Sequence, residues 1–175
     1  YMNVEYHFGQ VNDSVIENII ITDVVPPVAG EYPSYNCNLL GSGYHLATYK
    51  DKNYDAYWVG EEWPMIKNGI GWWDVTNGDW HYGNKPFVFG HEYQIRVYVQ
   101  TDDGYEFYTT GKYNVPAGTA KVNGNAANME MESMANREQE VRYTFTCQQA
   151  AVSEVVVSGI DVPVAGNAPD YTALV

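Results

Sequence analysis

The amino-acid sequence predicts an all-β fold, a sandwich of two sheets, from three observations. Apolar residues alternate with polar ones along several short segments, turn signals recur roughly every 8–12 residues, and helical periodicity is weak throughout. With 175 residues, 45% apolar and 15% aromatic, the chain holds enough apolar surface for a packed core without a metal or a disulfide framework.

Taken in chain order, Ile19, Ile20 and Ile21 form the first strand signal of the main body. Ile70 and Trp72 form a second, ending in turn residues from Asp74 to Gly78. From 93 to 99 the chain alternates Tyr93, Ile95, Val97 and Val99 against Gln94, Arg96 and Tyr98, the period-two pattern of a strand with one buried face. Asp103-Gly104 closes that run, and Asn123-Gly124 marks a two-residue hairpin because both residues tolerate positive φ. The methionines Met129, Met131 and Met134, in the stretch ending at Arg137, point to a short helix or an irregular loop. Val141, Tyr143 and Phe145 then alternate as the last strand. The expected core is Ile19, Ile21, Trp72, Phe89, Tyr93, Ile95, Val97, Val99, Phe107, Val141, Tyr143 and Phe145.

Self-similarity between the two ends sets the domain boundaries. Ile19-Ile20-Ile21, Pro27-Val28-Ala29-Gly30, Pro33 and Tyr35 are matched by Val155-Val156-Val157, Pro163-Val164-Ala165-Gly166, Pro169 and Tyr171, 136 positions on (27 against 163). Val4, Tyr6 and Phe8 are matched by Val141, Tyr143 and Phe145 at 137 positions (4 against 141). The chain therefore reads as the last strand of one repeat at 1–13, a complete unit at 14–148, and the opening of the next at 149–175.

With 22 acidic residues against 9 basic ones, a net charge of -13, the surface repels phosphate backbones and anionic headgroups. Nucleic acid and direct membrane insertion are not expected. No apolar run approaches the ~20 residues of a spanning helix, and the first residues lack a signal-peptide pattern, as expected of a sequence starting within a longer protein.

The ordered series Pro-Val-Ala-Gly-x-x-Pro at 27–33, Ile-Gly-Trp-Trp-Asp at 70–74, Phe-Gly-His-Glu-Tyr at 89–93, Asp-Gly-Tyr-Glu-Phe at 103–107, Val-Asn-Gly at 122–124 and Val-Arg-Tyr-Thr-Phe at 141–145 resembles a known family. It is similar to the immunoglobulin-like repeats found in tandem in large secreted surface proteins of Gram-positive gut bacteria. The sequence departs from that pattern in a long insert, about 43–68. The resemblance implies an immunoglobulin-like sandwich on the extracellular cell surface, acting as a spacer, adhesion or display module. Its expected partners are adjacent repeats of the same chain and a glycan or surface protein, and it brings no catalytic residues.

Candidate sites concentrate in the insert. Asp51, Asn53, Asp55 and Glu62 fall at positions 1, 3, 5 and 12 of an EF-hand-type loop, the oxygen spacing that holds calcium. Ala56 stands where the sharp turn asks for glycine and neither flank reads as a helix, so solvated loop acids are expected, no cofactor is assigned, and calcium is the alternative. Trp58, Trp63, Trp73 and Trp80 are candidates for a carbohydrate-binding face, since aromatic rings stack on apolar sugar faces. Their other reading is a satellite core beneath the insert. Trp72 and Trp73 are consecutive on a strand, so one of them faces outward.

An enzyme is not expected. His7, His45, His81 and His91 are scattered, and no serine or cysteine carries a nucleophile signature. Glu61 and Glu62 beside Trp63 are adjacent, whereas glycosidase carboxylates face each other about 5–10 Å apart. Cys37 and Cys147 read as two independent thiols, with a disulfide between them as the alternative. An isopeptide crosslink from Lys50, Lys52 or Lys121 is disfavoured because all three lie near turns.

Overall fold

The computed structural model describes residues 14–47, 66–111, 115–131, 136–151, 154–159 and 165–166. Among them the chain is all-β, without helix. The first seven strands are β1 (Ser14–Ile16), β2 (Asn18–Thr22), β3 (Asn38–Leu40), β4 (Tyr44–Leu46), β5 (Ile66–Lys67), β6 (Ile70–Asp74) and β7 (Asp79–Trp80). The second seven are β8 (Glu92–Thr101), β9 (Tyr105–Phe107), β10 (Thr109–Thr110), β11 (Val115–Pro116), β12 (Thr119–Val122), β13 (Asn125–Met131) and β14 (Glu138–Thr146). The main sheet runs β3-β2-β12-β13-β14-β8-β6-β5, with β4 also paired to β8 and β7 to β6. Parallel β1 and β9, and antiparallel β10 and β11, form two small pairs.

The sheet curls at β13, which changes partner along its length. Its first residues pair with β12, Asn125 opposite Val122, and its later ones with β14, Asn128 opposite Arg142. The expected hairpin between β12 and β13 forms, with Asn123 and Gly124 at φ of 48° and 82°. The Asn123 side chain accepts from the Val24 N–H at 3.2 Å and donates to the Val24 carbonyl at 2.7 Å, holding the turn to the chain leaving β2.

Both halves of the curled sheet face one apolar core. Ile19, Ile21, Ala120 and Val122 come from one half, and Trp72, Tyr93, Ile95, Val97, Val99 and Val141 from the other. Among the described residues, the buried members of this core run from Ile16 to Cys147. The buried indole N–H of Trp72 is satisfied by the Ser34 carbonyl at 2.9 Å.

The structure corrects several expectations. Phe89 is 61% exposed, and its core place is taken by Phe87 at 4%. Phe87 is held by backbone hydrogen bonds to Glu31 and Gly30, which set its ring 5.3 Å from Trp72 and 4.7 Å from Tyr93. The positive φ of Gly90, 78°, then turns the chain so that Phe89 points away. Tyr143 and Phe145 pack only at the margin of the core. Residues 129–131 finish strand β13, and 136–137 form a turn, where a helix or loop was expected. Pairing with β14 overrides the weak β-propensity of methionine and glutamate there. The two ends of the 43–68 insert are strands of the sheet, β4 and β5. Cys37, half-buried, and Cys147, buried, are both free thiols.

Chain direction places Ser14 and Gln148, the leading and trailing ends of the core-forming stretch, apart. Ser14 begins beside the 102–104 turn, donating to the Gly104 carbonyl, near where β8 ends and β14 begins. Gln148 leaves beyond the other end of β14, bridged to Val28. The nine residues of β14 separate these leading and trailing ends by about 30 Å.

Phe87→Ala is expected to lower stability by about 3–5 kcal/mol in urea unfolding, while Phe89→Ala changes it by less than about 0.5 kcal/mol.

Candidate functional site

Two clusters of chemistry-bearing side chains stand out, one across the outer face of the sheet and one at the trailing end. The outer cluster follows from strand alternation. Ile95, Val97 and Val99 point inward on β8, so Gln94, Arg96 and Tyr98 point outward, and Trp73 on β6 lies opposite Gln94. Trp80 on β7 lies opposite Trp73, and the two half-buried rings meet edge to face at 5.6 Å and 85°.

Arg96 sits over both indoles, its guanidinium carbon 4.6 Å from the Trp73 centroid and 4.9 Å from that of Trp80. Its Nε donates to Gln94 Oε1 at 3.2 Å and lies 3.6 Å from Glu140 Oε1. Glu140 is only 2% exposed, and its Oε2 accepts from Arg142 Nη2 at 2.6 Å. Arg142 also reaches Glu130 at 3.5 Å. The Glu140 hydrogen bond holds the Arg142 guanidinium above its ordinary pKa.

Trp80, Trp73, Arg96, Glu140, Arg142 and Glu130 thus form a continuous ladder over β7, β6, β8, β14 and β13. A buried carboxylate costs several kcal/mol unless charges and hydrogen bonds compensate it, and two arginines flank this one. The ladder also resolves a conflict in register. Arg96 and Arg142 are directly opposite, and like charges so placed repel unless an acid lies between them.

The trailing-end cluster is built on Asp74. Its Oδ1 accepts from the Asn77 N–H at 2.9 Å and its Oδ2 from the Asn77 amide at 2.8 Å, with His91 Nδ1 3.3 Å away. Burial pushes the Asp74 carboxyl up, but these partners outweigh it and hold the group below its ordinary value. His81 is buried, stacked on Phe87 at 5.0 Å, with Nε2 3.0 Å from the Lys85 carbonyl. Burial depresses its pKa, which favours the neutral ring. The Tyr93 hydroxyl accepts from the Val88 N–H at 3.0 Å, and burial raises its pKa.

Cys147 belongs to the same corner, hydrogen-bonded through its backbone N–H to the His91 carbonyl. A carboxylate, two imidazoles and a thiol are the ingredients of a nucleophilic site. The arrangement does not activate the thiol: burial raises the Cys147 pKa, and Sγ turns to the Gln148 carbonyl at 3.7 Å. Burial, and then the charge of Asp23, likewise push the Cys37 thiol up to about 11. The cluster fixes the 74–78 turn and the approach to β8.

Of the four candidate tryptophans, the structure brings Trp73 and Trp80 together, while Trp58 and Trp63 lie outside the described residues. The calcium candidates Asp51, Asn53, Asp55 and Glu62 also lie outside them, as do His7, Lys50, Lys52, Glu61 and the calcium-loop Ala56. His81 and His91 share the trailing end, whereas His45 stands at the other end, 2.7 Å from Asp102. Lys121 is exposed on β12. No protein-family profile, curated protein or solved structure matches the chain.

Removing one partner of the buried pair leaves Glu140 undercompensated. Arg142→Ala is expected to cost about 3 kcal/mol in chemical unfolding, and Glu140→Gln added to it recovers most of that loss. The depressed His81 pKa gives stability that is complete above its unfolded value of 6.5 and lost as pH falls through the folded one. The melting midpoint should therefore drop as pH falls below 6.5, and His81→Phe should shrink that drop. Asp74 adds a separate loss at pH below its unfolded value of 3.8.

Proposed function

We propose that the chain carries one complete unit of a serial array, an immunoglobulin-like β-sandwich without catalysis of its own, spacing or displaying other parts of a bacterial surface protein. The observation that carries this reading is the return of an unusual backbone at the sequence period. Asp23 and Gly159, 136 positions apart, have φ of 59° and 75°. Gly30 and Gly166, at the same spacing, have φ of 86° and 90° and both sit in turns. A non-glycine residue with positive φ is uncommon, so the Asp23 conformation is a specific mark, and glycine is the residue that adopts it most easily.

Other features point the same way. Val155, Val156 and Val157 are 62%, 65% and 50% exposed, whereas their counterparts Ile19 and Ile21 are buried in this unit. An apolar segment left uncovered is what the opening of a further sheet looks like before its partners are added. The leading and trailing ends lie at opposite ends of β14, which lets units follow one another in line. Trp72, buried on β6 beside β8, and the Tyr93 hydroxyl tied back to the Val88 N–H near the start of β8, fit an immunoglobulin-like core. Dense acidity keeps such an array hydrated and apart from anionic surfaces.

Glycan recognition by exposed aromatics has less support. A sugar platform needs open ring faces, and Trp73 and Trp80 meet at 85° with Arg96 over both.

Polypeptides of one, two and three units joined at the 136-residue offset test the reading by small-angle scattering. The largest dimension should grow by at least about 30 Å per unit. Compact particles whose length does not increase would contradict it.

A further inference from the structure

Resting on that serial reading, we infer that the trailing end is a docking surface for the next unit, with Phe89, Val88 and Val25 as its apolar seat, so that successive units form a rigid junction.

The argument starts from the chain between units. At the 136-residue offset, Ser14 corresponds to Ala150, so three residues, 147–149, separate the end of β14 at Thr146 from the start of the next unit. Two of those residues are fastened to this unit. Cys147 donates to the His91 carbonyl at 2.8 Å and accepts from the Gly90 N–H at 3.2 Å. Gln148 donates to the Pro27 carbonyl at 3.1 Å and accepts from the Ala29 N–H at 2.9 Å. Gln149 alone is left to span from Gln148 to Ala150, at most about 7 Å between Cα atoms. A connection this short holds the leading end of the following unit against the trailing end of this one.

The surface that meets it is apolar. Phe89, Val88 and Val25 are 61%, 49% and 56% exposed, and they sit on the two loops that grip Cys147 and Gln148. Gly90, at φ 78°, turns Phe89 outward from the same chain that buries Phe87. Large apolar side chains gathered where the chain must meet its neighbour are explained by that neighbour covering them. The occupant is the leading end of the next unit, which opens with the small side chains of Ala150 and Ala151, allowing close approach.

The test joins residues 14–158 to residues 23–149, which keeps the native junction and completes a second unit, and compares it with residues 14–149 alone. NMR relaxation should give both units one shared, slower rotational correlation time. Phe89→Ser in the first unit should release the units to tumble independently and lower the melting midpoint by about 2–4 °C. The same substitution in the second unit, or in the single unit, should leave both readings unchanged. Independent tumbling of the unsubstituted pair, or no response to Phe89→Ser in the first unit, would overturn the docking surface. An extended but flexible pair would fail this inference alone, whereas units packed side by side would also fail the serial reading.

Discussion

Nine consecutive residues of β14 lie opposite nine of β8, from Glu138 against Gln100 to Thr146 against Glu92. Ile95, Val97, Val99 and Val141 on the inner face of this pair are fully buried. A slip of one residue would turn those side chains outward and carry Arg96 and Arg142 into the apolar core. The same register sets Arg96 opposite Arg142 and Tyr98 opposite Glu140, so core and outer ladder share one constraint. It also sets Ser14 and Gln148 apart, because Ser14 bonds beside one end of the pair and Gln148 follows the other.

The parts of the fold that sequence made legible are those where local chemistry and tertiary demand agree. The alternation from Tyr93 to Val99 became β8, and Asn123-Gly124 became a turn with both residues at positive φ. Strand β13 was illegible because Asn125, Ala126, Ala127, Asn128 and Met129 carry no β-branched or aromatic residue. It is a strand because β12 and β14 both need a hydrogen-bonded partner. The exchange of Phe87 for Phe89 has the same origin. Both are large and apolar in a short loop, and only the hydrogen bonds of Phe87 to Glu31 and Gly30 decide which turns inward.

The outer ladder was only half visible. Consecutive Trp72 and Trp73 required one outward ring, and Trp73 is that ring. Arg96, Glu140 and Arg142 passed as ordinary outer-face charges, because their meeting depends on the pairing of residues 46 apart in sequence (142 − 96 = 46). Glu140 carries a faint signal, as an acid two residues before Arg142 on the same strand face. Two arginines converging on one carboxylate, with indoles beneath, stiffen the face of the sheet at the cost of ring surface that a sugar would otherwise use.

The proposed serial reading rests on the matched residues at the 136-residue offset and on backbone angles at four positions. Positive φ at Asp23 and Gly159, and at Gly30 and Gly166, returns with the period of the matched residues. The central claim is that residues 150–158 open a second unit equivalent to residues 14–22. Amide hydrogen exchange at Val155 and Val157 tests it most directly, measured in the 175-residue chain and again when residues 23–149 follow residue 158. The account predicts fast exchange in the first and protection like that of Ile19 and Ile21 in the second. Fast exchange in both would contradict it.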